Sequence, residues 1–163
     1  MSSLHHSPGG GFSEMFFLLC SYFYSTGYVQ SENHPDGIYS DNIDKEYKIQ
    51  VRAGMTLSLT LTAFDIEYYH PYHRGICYYD WLTIYDGDGT LLLGKTCGGP
   101  SASNKYAIGG VEGDSLPAPI TSKTHVVNLH FVTDYSVRRS GWKITFEAIG
   151  ECQQYAWIVP WPR

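Results

Sequence analysis

Glu67, Asp80 and Asp134 are the carboxylates best placed to do chemistry, because each stands at the end of a stretch patterned as a β-strand. Glu67 follows a strand ending at Phe64, Asp80 immediately precedes one starting at Trp81, and Asp134 follows one ending at Val132. Loops at one end of a β-sandwich can gather such residues. Three converging carboxylates without a cation would repel one another and be pushed towards their protonated forms. A calcium ion relieves that crowding, since it takes about six to eight oxygen ligands from carboxylates, carbonyls and water. Spacings of 13 and 54 residues carry no local geometry, so the residues alone leave a second reading open, three unrelated solvated acids.

Other chemistries find less support. The sequence contains no HExxH, GxSxG, Gly-rich phosphate loop or EF-hand loop. His70 and His73 have a spacing that could ligate zinc on a helix, but Pro71 lies between them and the context is strand-like, which favours two ordinary exposed histidines. Nothing here supports catalysis. Cys20, Cys77, Cys97 and Cys152 make an even count with three possible pairings and no CxxC pair, against a zinc ribbon or a thioredoxin-like site. Buried thiols in a reducing compartment and disulfides in an oxidising one both fit that count.

The elements that must position the acids are strands. Tyr47, Ile49 and Val51 alternate with polar residues, and so do Met55, Leu57, Leu59 and Leu61 after the Ala53-Gly54 turn. Leu82 and Ile84, then Val127, Leu129 and Phe131, then Trp142, Ile144, Phe146 and Ala148 repeat the pattern. A period of two implies sheets with one buried face. Asp86-Gly87-Asp88-Gly89 is a hairpin-turn signal. Short strands between Gly- and Asp-rich turns predict an all-β, two-sheet antiparallel sandwich. The Gly- and Ser-rich stretch between Cys97 and Leu116 reads as a long surface loop. Residues 1–14 read as a floppy leader. Met15–Tyr24 reads either as a strand packed on the core or as the apolar part of a signal peptide without its basic flank. The tail after Ile149 reads as an edge strand up to Val159 or as a fragment of something longer.

Composition narrows the classes. The 163 residues suit one domain with a sizeable core, and a hydrophobic share of 43% against 17% charged excludes general disorder. A net charge of −5 argues against non-specific nucleic-acid binding. No apolar run approaches the roughly 20 residues of a membrane span.

Six ordered blocks resemble the CUB domain, the extracellular β-sandwich module of complement proteases, astacin-type metalloproteases, spermadhesins and many receptors. Gly27-Tyr28-Val29-Gln30-Ser31 with Asn33 and Pro35 resembles the family's opening G-x-I-x-S-P-N-Y-P, and Phe64-Asp65-Ile66-Glu67 its F-x-L-E. The run from Cys77 to Gly87 resembles C-x-Y-D-x-L-x-I-x-D-G, and Leu93–Gly98 resembles L-G-x-x-C-G. Leu116-Pro117 with Ile120-Thr121-Ser122 resembles L-P-x-x-I-x-S. Phe131–Ser136 followed by Gly141-Trp142 resembles F-x-S-D-x-S and its closing G-F.

The resemblance implies a jelly-roll-like sandwich over residues 27–149, with residues 1–26 as leader and 150–163 as tail. It implies a Cys77–Cys97 disulfide. It further implies a calcium site at Glu67, Asp80 and Asp134 with backbone groups at Ser136 and Val137. The acidic pocket would then receive a lysine from an extracellular protein partner through Glu67, Asp80 and Ser136. Tyr68, Tyr69, Tyr72, Tyr78 and Tyr79 supply a rim, with core packing as the other reading, above all for Tyr79. The chain would be a secreted, non-catalytic recognition module. Two other classes remain: an exosite fragment of an astacin-type metalloprotease and a spermadhesin-like carbohydrate binder.

Departures from the family pattern bear on the site. Lys45 stands where a cysteine is usual, so Cys20, which fits the first half of that pair by spacing, is left to bond Cys152, to stay free or to pair between chains. Glu32 and His34 replace the Pro and Tyr of the opening motif, a region that supports the calcium loops. Arg138 and Arg139 follow Asp134 closely, with a charge that opposes a cation.

Overall fold

The computed structural model describes residues 25–69, 75–101 and 105–150, together with the backbone of 17–19 and 155–157. The chain divides into two compact units, residues 23–151 and a smaller one formed by 1–22 with 152–163. In the smaller unit β1 (Phe17–Leu19) pairs antiparallel with β12 (Tyr155–Trp157) as a two-stranded sheet of its own. The readings of residues 1–14, Cys20, Cys152, His70, Tyr72 and His73 fall outside the described residues.

The larger unit is built from period-two strands. They are β2 (Thr26–Gln30), β3 (Asp44–Gln50), β4 (Thr56–Asp65), β5 (Trp81–Asp86), β6 (Leu91–Cys97), β7 (Tyr106–Ile108), β8 (Val111–Gly113), β9 (Ile120–Thr121), β10 (Val126–Val132) and β11 (Gly141–Ile149). One sheet has the order β3-β10-β5-β6-β7-β8 and the other β2-β11-β4-β9, with every pairing antiparallel. Leu57, Leu59 and Leu61 of β4 and Trp142 and Ile144 of β11 face Leu82, Ile84, Leu129 and Phe131 of the other sheet in one buried cluster. Each such side chain contributes roughly 1.5–3 kcal/mol by leaving water. No helix was expected, and among the described residues none is long and apolar enough to cross a membrane.

One expectation needs correcting. The stretch between Cys97 and Leu116 is not simply a surface loop: β7 and β8 form a hairpin that extends the six-stranded sheet. The turn is Gly109-Gly110, with φ of 55° and 94°, the left-handed conformations that a tight hairpin needs and glycine supplies without strain. Tyr106 and Ala107 are buried. Apolar residues too few to show a period on their own gain one by pairing with β6.

Register explains why one end of the sandwich collects the acids. Trp81 opposes Val132, and Val132 opposes Asp44, so the start of β5, the end of β10 and the start of β3 lie level. Asp80, Asp134 and the 39–43 segment therefore emerge together. An isolated bridge between Ile66 and Gly98 brings the continuation of β4 to the same end. The Cys77–Cys97 disulfide, with a Cα separation of 5.8 Å, holds the loop before Asp80 to the end of β6. In the chain-entropy account a loop of that length is worth about 3 kcal/mol.

Where the resemblance places a cysteine, Lys45 opposes Phe131 in the register and sets its ammonium 5.0 Å from the Tyr47 ring centroid. Gly141 has φ of 87°, and a Cβ there would lie 1.9 Å from Ser31 Oγ, so only glycine fits beside the Ser31–Trp142 hydrogen bonds that join β2 to β11.

Candidate metal centre

The centre is assembled from four chain segments. Tyr39 comes from the loop before β3, Glu67 from the end of β4, Asp80 from the residue before β5, and Asp134 from the loop after β10. Glu67, Asp80 and Asp134 each offer a carboxylate oxygen within 4.8 Å of the other two. The three acids named from the sequence do meet.

Buried and half-buried hydrogen bonds fix them. The Tyr39 hydroxyl donates to Asp80 Oδ2 at 2.5 Å and accepts from the Glu67 backbone N–H at 3.0 Å. Asp80 Oδ1 accepts from the Asp134 backbone N–H at 2.8 Å. Asp134 Oδ1 accepts from the Ser136 N–H at 2.8 Å, while the Asp134 carbonyl accepts from the Asn42 N–H. Thr133 and Ile43 exchange two further bonds, and the Arg139 carbonyl accepts from the Tyr39 N–H. The 39–43 segment is thus zipped onto the loop after β10 with Tyr39 pointing inward, buried edge-on against Phe131.

Burial and like charge together disfavour the ionised forms of the cluster. Burial is the main reason Glu67 is pushed up to about 7, and the charges of Asp80 and Asp134 add to it against an opposing effect from Arg139. Burial likewise raises Asp80 to about 6, with the bonds from Tyr39 and Asp134 pulling down and the charges of Asp134 and Asp41 pushing up. The Tyr39 phenol is raised by burial, then by its bond to Asp80. Arg138 pairs with Asp41, its Nε 3.3 Å from Asp41 Oδ1.

Glu67 gives the test of whether a metal fits. Its residue is only 8% exposed, and Oε2 is buried with no hydrogen-bond partner. A buried carboxylate oxygen left without a donor costs about 1–3 kcal/mol or more. Here it lies beside two more carboxylates, an all-oxygen set suited to a hard cation such as Ca2+. Asp80 and Asp134 keep lone pairs beyond those engaged in the bonds above. The residues present fit calcium.

The remaining predicted site residues divide by exposure. Ser136 is half-buried, and Val137 is exposed with φ of 58°. For a β-branched residue that conformation costs about 1–3 kcal/mol, so the turn is held by its surroundings. Tyr69 and Tyr78 are exposed. Tyr68 is buried, its hydroxyl donating to Glu112 and accepting from the Gly75 N–H, so it braces the loop against the β7–β8 hairpin instead of offering surface. Tyr79 is half-buried. Asp80 is 0% exposed. Of the departures, His34 donates from Nδ1 to the Ser140 carbonyl at 3.0 Å, and Glu32 accepts from the Ser40 hydroxyl, so both brace the loops around the centre. Sequence reasoning missed Tyr39. Its only signal was a large aromatic in an otherwise mostly polar stretch from Ser31 to Glu46.

Comparison with known proteins agrees with this architecture. The family model of the CUB domain matches residues 20–146, and the chain belongs to that family. It is 30% identical over 125 residues to cubilin from Homo sapiens, covering 77% of this chain and 3% of that protein. It is 28% identical over 151 residues to bone morphogenetic protein 1 from Xenopus laevis, covering 90% of this chain and 18% of that protein. The chain therefore spans a small part of these relatives. Among solved structures it resembles the MASP-1 CUB2 domain bound to Ca2+, with a TM-score of 0.53, 26% identity and coverage of 74% of this chain and 90% of that one.

Proposed function

We propose that the chain is an extracellular, non-catalytic module that recognises a protein partner through a calcium-ordered acidic pocket, and that the pocket receives a lysine. The observation that carries this reading is Glu67 Oε2, buried without a donor beside Asp80 and Asp134. Glu67, Asp80 and Asp134 would hold the ion, with backbone oxygens at Ser136 and Val137. Bound calcium supplies positive charge that makes the crowding of acids tolerable and ties the loops together.

The chain's own residues do the rest. Tyr39 orients Asp80 and the Glu67 backbone, and the Ser136 N–H orients Asp134. Loops ordered in advance reduce the entropy a partner must lose on binding. An ammonium reaching Glu67 and Ser136 makes charge-assisted hydrogen bonds, stronger than neutral ones. Asp80, fully buried, adds negative potential more than contact area. Tyr69 and Tyr78 flank the mouth and offer large contact at low conformational cost. The likeness to a CUB domain bound to Ca2+ supports the metal, and the Cys77–Cys97 disulfide supports an oxidising compartment.

Calorimetric titration with calcium at neutral pH tests the metal. One equivalent should bind, and saturation at about 100 times the dissociation constant should add about 2.7 kcal/mol of stability. No heat and no rise in Tm at millimolar calcium overturns the reading. Glu67→Gln should remove both signals while leaving the protein folded.

A further inference from the structure

Ten large hydrophobic side chains are exposed among the described residues, and five of them adjoin residues of the acidic centre along the chain. They are Ile38 (50%), Tyr69 (53%), Tyr78 (56%), Tyr135 (78%) and Val137 (50%). Each lies within two residues of Tyr39, Glu67, Asp80, Asp134 or Ser136. Two residues of chain span at most about 7 Å, so hydrogen bonds that gather those residues also gather their neighbours. A lone exposed apolar residue is ordinary. Five, drawn from the three loops that carry one cluster of acids, point to an interaction surface.

We propose that this collar makes the pocket selective for a lysine flanked by apolar side chains over a lysine in polar surroundings. The inference rests on the lysine-receiving pocket proposed above and specifies the neighbours of that lysine. The acids at the centre call for a cation, while the collar calls for apolar contact. Lysine offers an apolar stem that can lie along the collar while its ammonium reaches the acids. Apolar flanking residues then cover Ile38, Tyr135 and Val137. Contacts of that kind exclude water from a central polar contact and strengthen it.

Three peptides of equal length test the proposal on the full chain at millimolar calcium: Gly-Gly-Lys-Gly-Gly, Gly-Leu-Lys-Phe-Gly and Gly-Leu-Gln-Phe-Gly, each capped at both ends. Binding is read by NMR titration. The Leu-Lys-Phe peptide should bind about tenfold tighter than either of the others, a difference of about 1.4 kcal/mol. The double variant Ile38→Ser, Tyr135→Ser should lose most of that preference while its calcium titration stays the same. Equal affinity of the two lysine peptides overturns the collar and leaves the pocket standing. Equal affinity of the Leu-Lys-Phe and Leu-Gln-Phe peptides overturns the requirement for lysine. Failure of both lysine peptides to bind overturns the pocket and the collar together. The peptide comparison decides the matter even if the double variant does not fold.

Discussion

Strand β5 ends on one aspartate, Asp86, and is preceded by another, Asp80, and both are fully buried. At its start Asp80 accepts two hydrogen bonds but faces other carboxylates, and it is raised to about 6. At its end Asp86 accepts from the backbone N–H groups of Gly87, Lys123 and Thr124 and from the Thr124 hydroxyl. Burial pushes Asp86 up, yet those four donors outweigh it and the carboxyl ends below its ordinary value. Neither aspartate exposes surface, but Asp80 lies deeper in the protein, so burial dominates at Asp80 while donors dominate at Asp86. A carboxylate saturated with donors staples the 121–125 segment to the β5–β6 turn. One buried among like charges has no such set of donors, and that is the end to which the proposed binding is assigned.

Exchange at the stapled end has the largest expected effect. Asp86→Ala takes the acceptor from the Lys123 and Thr124 N–H groups and one of two partners from the Gly87 N–H and the Thr124 hydroxyl, and urea denaturation should report a loss of about 2–3 kcal/mol. The calcium-induced rise in Tm should persist, since the change lies at the far end of the strand. Tyr39→Phe removes the hydroxyl that joins Asp80 to the Glu67 backbone. It should cost about 1–2 kcal/mol and weaken calcium by roughly tenfold, read by calorimetry. If it leaves calcium affinity unchanged, Tyr39 is only packing.

Relief of crowding should work in the opposite sense. Glu67→Gln removes one repelling charge, so without metal the protein should be as stable as the unaltered chain or up to about 1 kcal/mol more stable at pH 8. A loss of stability at that pH would mean the cluster is not frustrated.

The pH dependence is the mildest test. Glu67 and Asp80 have folded values of about 7 and about 6 against 4.5 and 3.8 for the free groups. The folded state thus holds protons more tightly. The stability they add is complete below the free values and is lost as pH rises through about 6 and then about 7. Without calcium, Tm should fall across that interval, and the increment due to calcium should grow across it because calcium requires the deprotonated acids. Asp86 has the reverse sign, its contribution being present above 3.8 and lost as pH falls through its depressed folded value. A calcium increment independent of pH between 5 and 8, a range of about three units, would break the contrast between the two ends.

Much of the sandwich was legible because period-two alternation is a local property. Leu57, Leu59 and Leu61, like Val127, Leu129 and Phe131, are buried as their pattern requires. Phe146 shares the pattern but is only partly buried, since it packs over Gly27 on the strand β2 that edges its sheet. The β7–β8 hairpin escaped because three-residue strands have too few positions to show a period. From the sequence Arg139 is only a charge close to Asp134. Its effect is directed at Glu67, and its Nε is buried without a hydrogen-bond partner.

Residue order alone determined which side chains face inward, where the strands stop, and that acids stand at three of those stops. Alternation and turn chemistry act over neighbouring residues, so they can be read without coordinates. Only the tertiary structure decided that Glu67 has an oxygen with no donor, that Tyr39 ties two of the acids together, and that Asp80 and Asp86 have opposite characters. Those properties depend on which distant groups approach each carboxylate, and cross-strand register and loop contacts set that approach.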